Sequence, residues 1–121
     1  MTLTELATLK HGPCTADPSA KTATQLLRES GLFSAEEMQA FEARERFGLE
    51  KYGTSLREGW EHAEAGALQE VMDLAVYCAA SPHLRPLLGE VWAMMVRIRK
   101  ALAGKQDAAE SFPILAPCRG A

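Results

Sequence analysis

Apolar residues recur at helical spacing along most of the chain, and no stretch alternates apolar and polar residues as a strand does. A short segment over residues 22–30 ends at Gly31, a residue suited to the left-handed turn that closes many helices. Ser34 and Glu37 then have the spacing of a capping box, and they predict a second helix that runs to about residue 52. The pattern therefore predicts an all-α fold.

Two further helices are predicted in the second half of the chain. One spans about residues 60–80 and is broken by Ser81-Pro82, and the other runs from residue 84 or 86 to Ala103 and ends at Gly104. The last helix has a wide apolar face, formed by Leu87, Leu88, Val91, Trp92, Met95, Ile98 and Leu102. Because a chain of 121 residues buries a modest core by itself, we expect an antiparallel helical bundle completed by homo-oligomerisation, as a dimer or a tetramer.

The predicted helices divide the chain into one folded domain and two flanking segments. Residues 22–104 form the helical domain in this interpretation. Residues 1–21 have the composition of a loop-rich N-terminal arm with one short turn of helix, which we expect to be ordered only if it docks on a partner subunit. Residues 105–121 have the composition of a flexible C-terminal tail.

Composition and charge exclude several classes of function. The net charge of -3 disfavours a surface that coats nucleic acid. The sequence has no apolar run long enough to cross a membrane, and we expect no secretion signal. Its three cysteines are far apart and form no CxxC pair, which argues against a zinc site and favours a reducing, cytoplasmic setting.

The segment from Ala65 to Ala80 contains the most informative pair of residues. It is apolar nearly all round a helical wheel, yet it includes Glu70 and Asp73 and no basic residue. Acids three positions apart share one face of a helix, and burying two like charges is costly unless a cation neutralises them. A bound metal ion would satisfy the pair, although an arginine of another helix could also do so.

A second acidic pair lies on the preceding helix. Glu45 falls within an apolar stripe of that helix, and Glu42 lies on the edge of the stripe. Two antiparallel helices would bring the pairs face to face, and four carboxylates make an oxygen-rich site suited to Mg²⁺ or Mn²⁺. The alternative for Glu42 and Glu45 is structural, because such pairs are common on solvated helices and Glu45 could form an ion pair with another helix.

The two acidic motifs and their flanking residues resemble a known family. ExxE followed by ExxD, within ARERFGLEKYGTSL and LQEVMDLAVY, is similar to the metal-binding motif of the MazG-like all-α nucleoside triphosphate pyrophosphohydrolases, in a branch found in phages and bacteria. The resemblance covers roughly residues 41–80. It implies a helical dimer that cleaves a nucleoside triphosphate to a monophosphate and pyrophosphate, with Mg²⁺ bound by Glu42, Glu45, Glu70 and Asp73.

The chain departs from the family pattern at the start of the first motif. Phe41 stands where the family often has an acid, and Glu50 could replace Glu42 as a ligand if the helix is rotated. Lys51 and Arg46 are candidates for contact with substrate phosphates, although the helical wheel favours a solvated position for Lys51. The three histidines are scattered in the sequence and receive no catalytic role.

These observations lead to one functional hypothesis and one alternative. The hypothesis is a Mg²⁺-dependent nucleotide pyrophosphohydrolase in which Glu45, Glu70 and Asp73 are the main catalytic ligands. A carboxylate of the site would then help to activate the attacking water. The alternative is a catalytically silent helical dimer of the same fold that binds nucleotides or a protein partner.

Overall fold

The chain is helical in the computed structural model, which describes the backbone of residues 1–119 and the side chains of residues 1–105. Within residues 1–119 there is no strand, and an isolated β-bridge joins Thr22 to Arg57. No helix of this part of the chain combines the length and the hydropathy needed to cross a bilayer. The α-helices are Leu3–Thr8 (α1), Ala23–Ser30 (α2), Ala35–Tyr52 (α3), Ala63–Ala80 (α4) and Leu88–Arg119 (α5), and a 3-10 turn at Arg85–Leu87 precedes α5. The all-α prediction is confirmed.

The ends of α2 and α3 follow the local signals in the sequence. The Ser34 side chain accepts a hydrogen bond from the Glu37 backbone N–H, and the Glu37 carboxylate accepts one from the Ser34 N–H. At the other ends, Gly31 and Gly53 adopt left-handed conformations with φ of 68° and 78°. A side chain would be strained at both positions. The predicted limits of these two helices are confirmed.

Two predicted helix limits are wrong. The helix α4 begins at Ala63, not near Trp60, because residues 61 and 62 form a turn in which the Ala63 N–H donates to the Trp60 carbonyl at 3.2 Å. The helix α5 continues through Gly104, since one glycine inside a helix costs only about 1 kcal/mol. The predicted tail began at residue 105, and its side chains from residue 106 and its last two residues lie outside the described part of the chain.

The chain divides into two compact units. The first unit comprises Met1–Leu9 together with the chain from Glu64 onward, and the second comprises Lys10–Ala63. The predicted division into an arm, a central domain and a tail differs from this one, because the chain begins in the first unit, passes through the second and returns.

The first unit is built around one face of α4. Leu6 of α1 packs with Ala65 and Leu68 in one buried cluster, and Met95 and Ile98 of α5 pack against the same cluster. A second cluster continues along α4 and α5, and it consists of Val71, Cys78 and Val91. Burial of this face excludes water from side chains of all three helices, which is the main favourable contribution to folding.

Polar contacts fix α1 and the start of α4 in the first unit. The Gln69 side-chain amide donates hydrogen bonds to the backbone carbonyls of Leu6 and Leu9, each at 2.8 Å. The N-terminal residues are therefore docked on their own chain, whereas we expected them to need a partner subunit. Lys105 donates to the Glu64 carboxylate at 2.8 Å, and this hydrogen bond lowers the pKa of Glu64.

The second unit is held together by the contacts of α2 and α3 and by a loop contact. Met38 is buried on α3, and the Phe33 and Phe41 rings meet edge to face with centroids 4.9 Å apart. The Arg57 guanidinium donates a hydrogen bond of 2.7 Å to the Ala20 carbonyl, next to the β-bridge. These contacts join the loop that follows α3 to the residues that precede α2.

Replacing Leu68 by alanine should strongly destabilise the protein. The Leu68 side chain has no exposed surface, so its loss leaves a cavity and should lower the free energy of unfolding by about 2–5 kcal/mol. Leu32→Ala is the control, because Leu32 is 80% exposed, and it should change stability by less than about 0.5 kcal/mol. Urea denaturation followed by circular dichroism measures both. Equal effects of the two substitutions would contradict the described core.

Candidate functional site

The first acidic pair lies one turn apart on α3, in the second unit, and both side chains are half-buried. The Glu42 carboxylate accepts a hydrogen bond from Arg28 of α2 and forms an ion pair with it. Glu45 makes no ion pair and no side-chain hydrogen bond within residues 1–105. The ion pair with another helix that we considered for Glu45 is therefore made by Glu42 instead, and the Glu45 carboxylate is left available.

The second acidic pair, Glu70 and Asp73, lies on the exposed face of α4. This finding corrects the expectation that the pair is buried. The helix buries only the face that carries Leu68 and Val71, and both acids lie on the opposite side. Water therefore solvates the two carboxylates in the single chain, so desolvation does not by itself require a neutralising cation. Neither acid has an ion pair or a hydrogen-bonded side chain within residues 1–105.

The four predicted metal ligands do not all belong to one unit. Glu42 and Glu45 lie in the second unit, whereas Glu70 and Asp73 lie in the first. Over the side chains of residues 1–105, no group of three or more His, Cys, Asp or Glu residues is arranged to hold a metal ion. Glu50, the alternative ligand, is exposed, and five residues separate it from Glu45 by about 140° around the helix.

Three other residues singled out in the sequence, Arg46, Lys51 and Phe41, lie on α3. Arg46 and Lys51 are both exposed on α3, and the Lys51 ammonium lies 5.1 Å from the centre of the Tyr52 ring. Phe41, which stands where the family often has an acid, packs edge to face against Phe33. This ring contact is part of the packing between the start of α3 and the residues before it.

Sequence reasoning missed a cluster formed by His11, Trp60 and His62 in the second unit. The imidazole rings of His11 and His62 lie with their centroids 5.4 Å apart and their planes within 16° of parallel. The Trp60 indole meets both rings nearly at right angles, at 5.4 and 5.6 Å. The two histidines are far apart in the sequence and follow no motif spacing, so only the folded loops reveal their proximity.

Comparison with known proteins identifies no relative. No family model matches the chain, and no curated protein and no solved structure has significant similarity to it. The assignment of function therefore depends on the acidic motifs and on the environment of each side chain.

Removal of a charge from the exposed acidic pair should stabilise the metal-free protein. Glu70 and Asp73 repel each other at helical spacing, so Glu70→Gln should raise the free energy of unfolding by about 0.2–0.5 kcal/mol in the presence of a chelator. Glu90→Gln is the control, and it should lower the free energy of unfolding. Glu90 lies in the first turn of α5, where a negative charge is favourable by about 0.3–1 kcal/mol.

Thermal and urea unfolding at low ionic strength measure these two differences. A loss of stability in Glu70→Gln would contradict the described surroundings of the acid, because it would mean that a cationic group already pairs with the carboxylate.

Proposed function

We propose that the protein is a Mg²⁺-dependent nucleoside triphosphate pyrophosphohydrolase of the MazG-like kind, which converts a (d)NTP to a (d)NMP and pyrophosphate. The observation that carries the proposal is the pattern of available acids. Glu45, Glu70 and Asp73 lie on consecutive long helices, and no cationic side chain of residues 1–105 is paired with any of them. An acid without a cationic partner keeps both carboxylate oxygens available to accept a ligand.

The chemistry of these side chains fits a hard divalent cation. Carboxylate oxygens are the ligands that Mg²⁺ prefers, and the three unpaired acids with Glu42 would hold it. When bound, the ion neutralises charge on the triphosphate and polarises a phosphoryl oxygen. A carboxylate that is not occupied by the ion can accept the proton of the attacking water.

Each side chain near this pattern has a role that its surroundings support. Arg28 holds one oxygen of Glu42 and so orients the carboxylate. The exposed guanidinium of Arg46 and ammonium of Lys51 can approach the phosphates. In this proposal Glu50 is not a ligand, because it lies on a different face of α3 from Glu45.

We also propose that the enzyme works in the cytoplasm as a homo-oligomer. Large apolar side chains of the first unit are exposed in the single chain, among them Val76 at 68%, Tyr77 at 71% and Trp92 at 64%. Large exposed apolar side chains are typical of interaction surfaces when they form a contiguous patch. Cys14 and Cys78 are both free thiols, as expected in a reducing compartment.

Purified protein should release pyrophosphate from at least one nucleoside triphosphate when Mg²⁺ is present. A panel of (d)NTPs, with detection of both pyrophosphate and monophosphate, tests this activity. Asp73→Asn should lower kcat/KM by about a hundredfold or more, since a lost ligand of a catalytic metal typically costs several kcal/mol. Glu36→Gln, which removes an exposed acid from the first turn of α3, should leave the rate unchanged. Full activity in Asp73→Asn would refute the proposed site.

Introducing a charge on the exposed apolar surface should weaken the oligomer. Trp92→Lys places an ammonium where an interface would be dehydrated, so the variant should shift toward the monomer in sedimentation equilibrium. Leu32→Lys, at an exposed position of the second unit, should leave the mass distribution unchanged. A wild-type protein that stays monomeric at high micromolar concentration would contradict the homo-oligomer.

A catalytically silent protein of the same fold is the second candidate, and two observations favour it. Phe41 replaces an acid of the family motif, and Arg28 already neutralises Glu42. Such a protein would bind nucleotides or a protein partner without a productive metal site. Calorimetric titration with a non-hydrolysable triphosphate distinguishes the two candidates, because the enzyme requires Mg²⁺ for tight binding and the silent protein does not.

A further inference from the structure

Two cations of α5, Arg97 and Lys100, are exposed on the side of the helix away from the buried Val91. No acid stands three or four residues before or after either of them. Neither forms an ion pair or a side-chain hydrogen bond within residues 1–105. The helix continues to Arg119, so the negative end of the helix dipole, which acts within the last turn, does not account for them. Both charges are therefore left unbalanced by their surroundings in the single chain.

Small residues share this side of α5. Gly89, Ala93 and Gly104 lie within about 60° of one another around the helix, in the sector that also contains Lys100. A Cβ placed at Gly89 or Gly104 would meet no atom within 4 Å, so the packing of the described chain does not require glycine at either position. Because glycine weakens a helix and permits close approach of another backbone, this side of α5 suits contact with a second helix.

The exposed acids of α4 share their face with apolar side chains. Glu70, Asp73, Leu74 and Tyr77 lie in one sector of about 100°, on the side of α4 opposite the buried Leu68. Leu74 is 40% exposed and Tyr77 is 71% exposed. This face combines two negative charges with apolar surface, whereas the outer face of α5 combines two positive charges with small residues. The two faces are therefore complementary in charge and in side-chain size.

The spacing of the residues on the two faces also matches when the helices run antiparallel. Glu70 precedes Tyr77 by seven residues on α4, and Ala93 precedes Lys100 by seven residues on α5. Placing Glu70 opposite Lys100 thus places Tyr77 opposite Ala93, because both helices rise about 1.5 Å per residue. The second acid and the second cation each lie three residues along from the first pair, so they stand at the same height. Opposite charges face each other, and a large side chain faces a small one.

We propose that α4 of one copy of the chain docks antiparallel on α5 of a second copy, with Glu70 beside Lys100 and Tyr77 on Ala93. The helices of one chain cannot make this contact, because they already pack together through their opposite faces, where Val91 meets α4. Opposite charges favour the encounter and fix the register. The tyrosine ring supplies apolar area that the contact removes from water.

The contact needs neither a metal ion nor a nucleotide, so it stands apart from the proposed activity. It gives the homo-oligomer a register and a pattern of charges. Where Glu70 and Asp73 hold Mg²⁺, the cations of the second copy face the phosphates of the triphosphate, and this consequence alone rests on the proposed function.

Sedimentation equilibrium at high micromolar concentration, in a chelator and without nucleotide, measures the contact. The wild-type protein should associate at about 0.1 M salt and dissociate at about 1 M salt, since the screening length falls from about 10 Å to about 3 Å. Lys100→Glu and Glu70→Lys should each weaken association at least about tenfold, because like charges then face each other. Arg99→Glu is the matched control. Arg99 is exposed on α5 about 100° around the helix from Lys100, so this variant should change association less than about twofold.

Mixing the two charge-reversed variants completes the test. Lys100→Glu and Glu70→Lys restore an opposite pair between copies, so an equal mixture should associate more strongly than either variant alone. Circular dichroism checks that both variants are folded, and loss of folding would not be restored by mixing. The proposal is overturned if the wild-type protein stays monomeric, if Lys100→Glu leaves association unchanged, or if the mixture is no stronger than its components. An absence of pyrophosphohydrolase activity alters none of these results, because no nucleotide is present.

Discussion

Burial of one face of α4 is the constraint on which the first unit depends. Leu68 has no exposed surface. Leu6 of α1 packs with it in one cluster, and α5 contributes side chains to that cluster and to the next one along α4. Successive residues of a helix are rotated by about 100°, so Glu70 and Asp73 lie about 160° and 140° around α4 from Leu68, on the opposite face. The packing of the core thus determines that these acids meet solvent, and any role they have must be exercised from the surface.

The sequence was a reliable guide where a local interaction decides the structure. The limits of α2 and α3 were predicted correctly, because each capping residue acts on the backbone within one helical turn. These residues are Gly31, Ser34, Glu37 and Gly53. The start of α4 and the end of α5 were predicted less well, because residues 61 and 62 form a turn before α4 and because α5 continues through Gly104. The docking of α1 was also unpredictable, since Gln69 contacts residues far away in the sequence.

Glu70 and Asp73 show why a helical wheel alone does not predict which residues of an apolar helix are buried. Residues 65–80 are apolar on both sides, and apolar composition alone suggested that Glu70 and Asp73 are surrounded by protein. In the single chain the second apolar side is exposed, as Tyr77 illustrates at 71%. The argument for a bound cation therefore no longer depends on the cost of burying the two carboxylates. It depends on their being unpaired, because solvated carboxylates without partners can bind a metal at little structural cost. This argument also favours Glu45 over Glu42, whose charge Arg28 already balances.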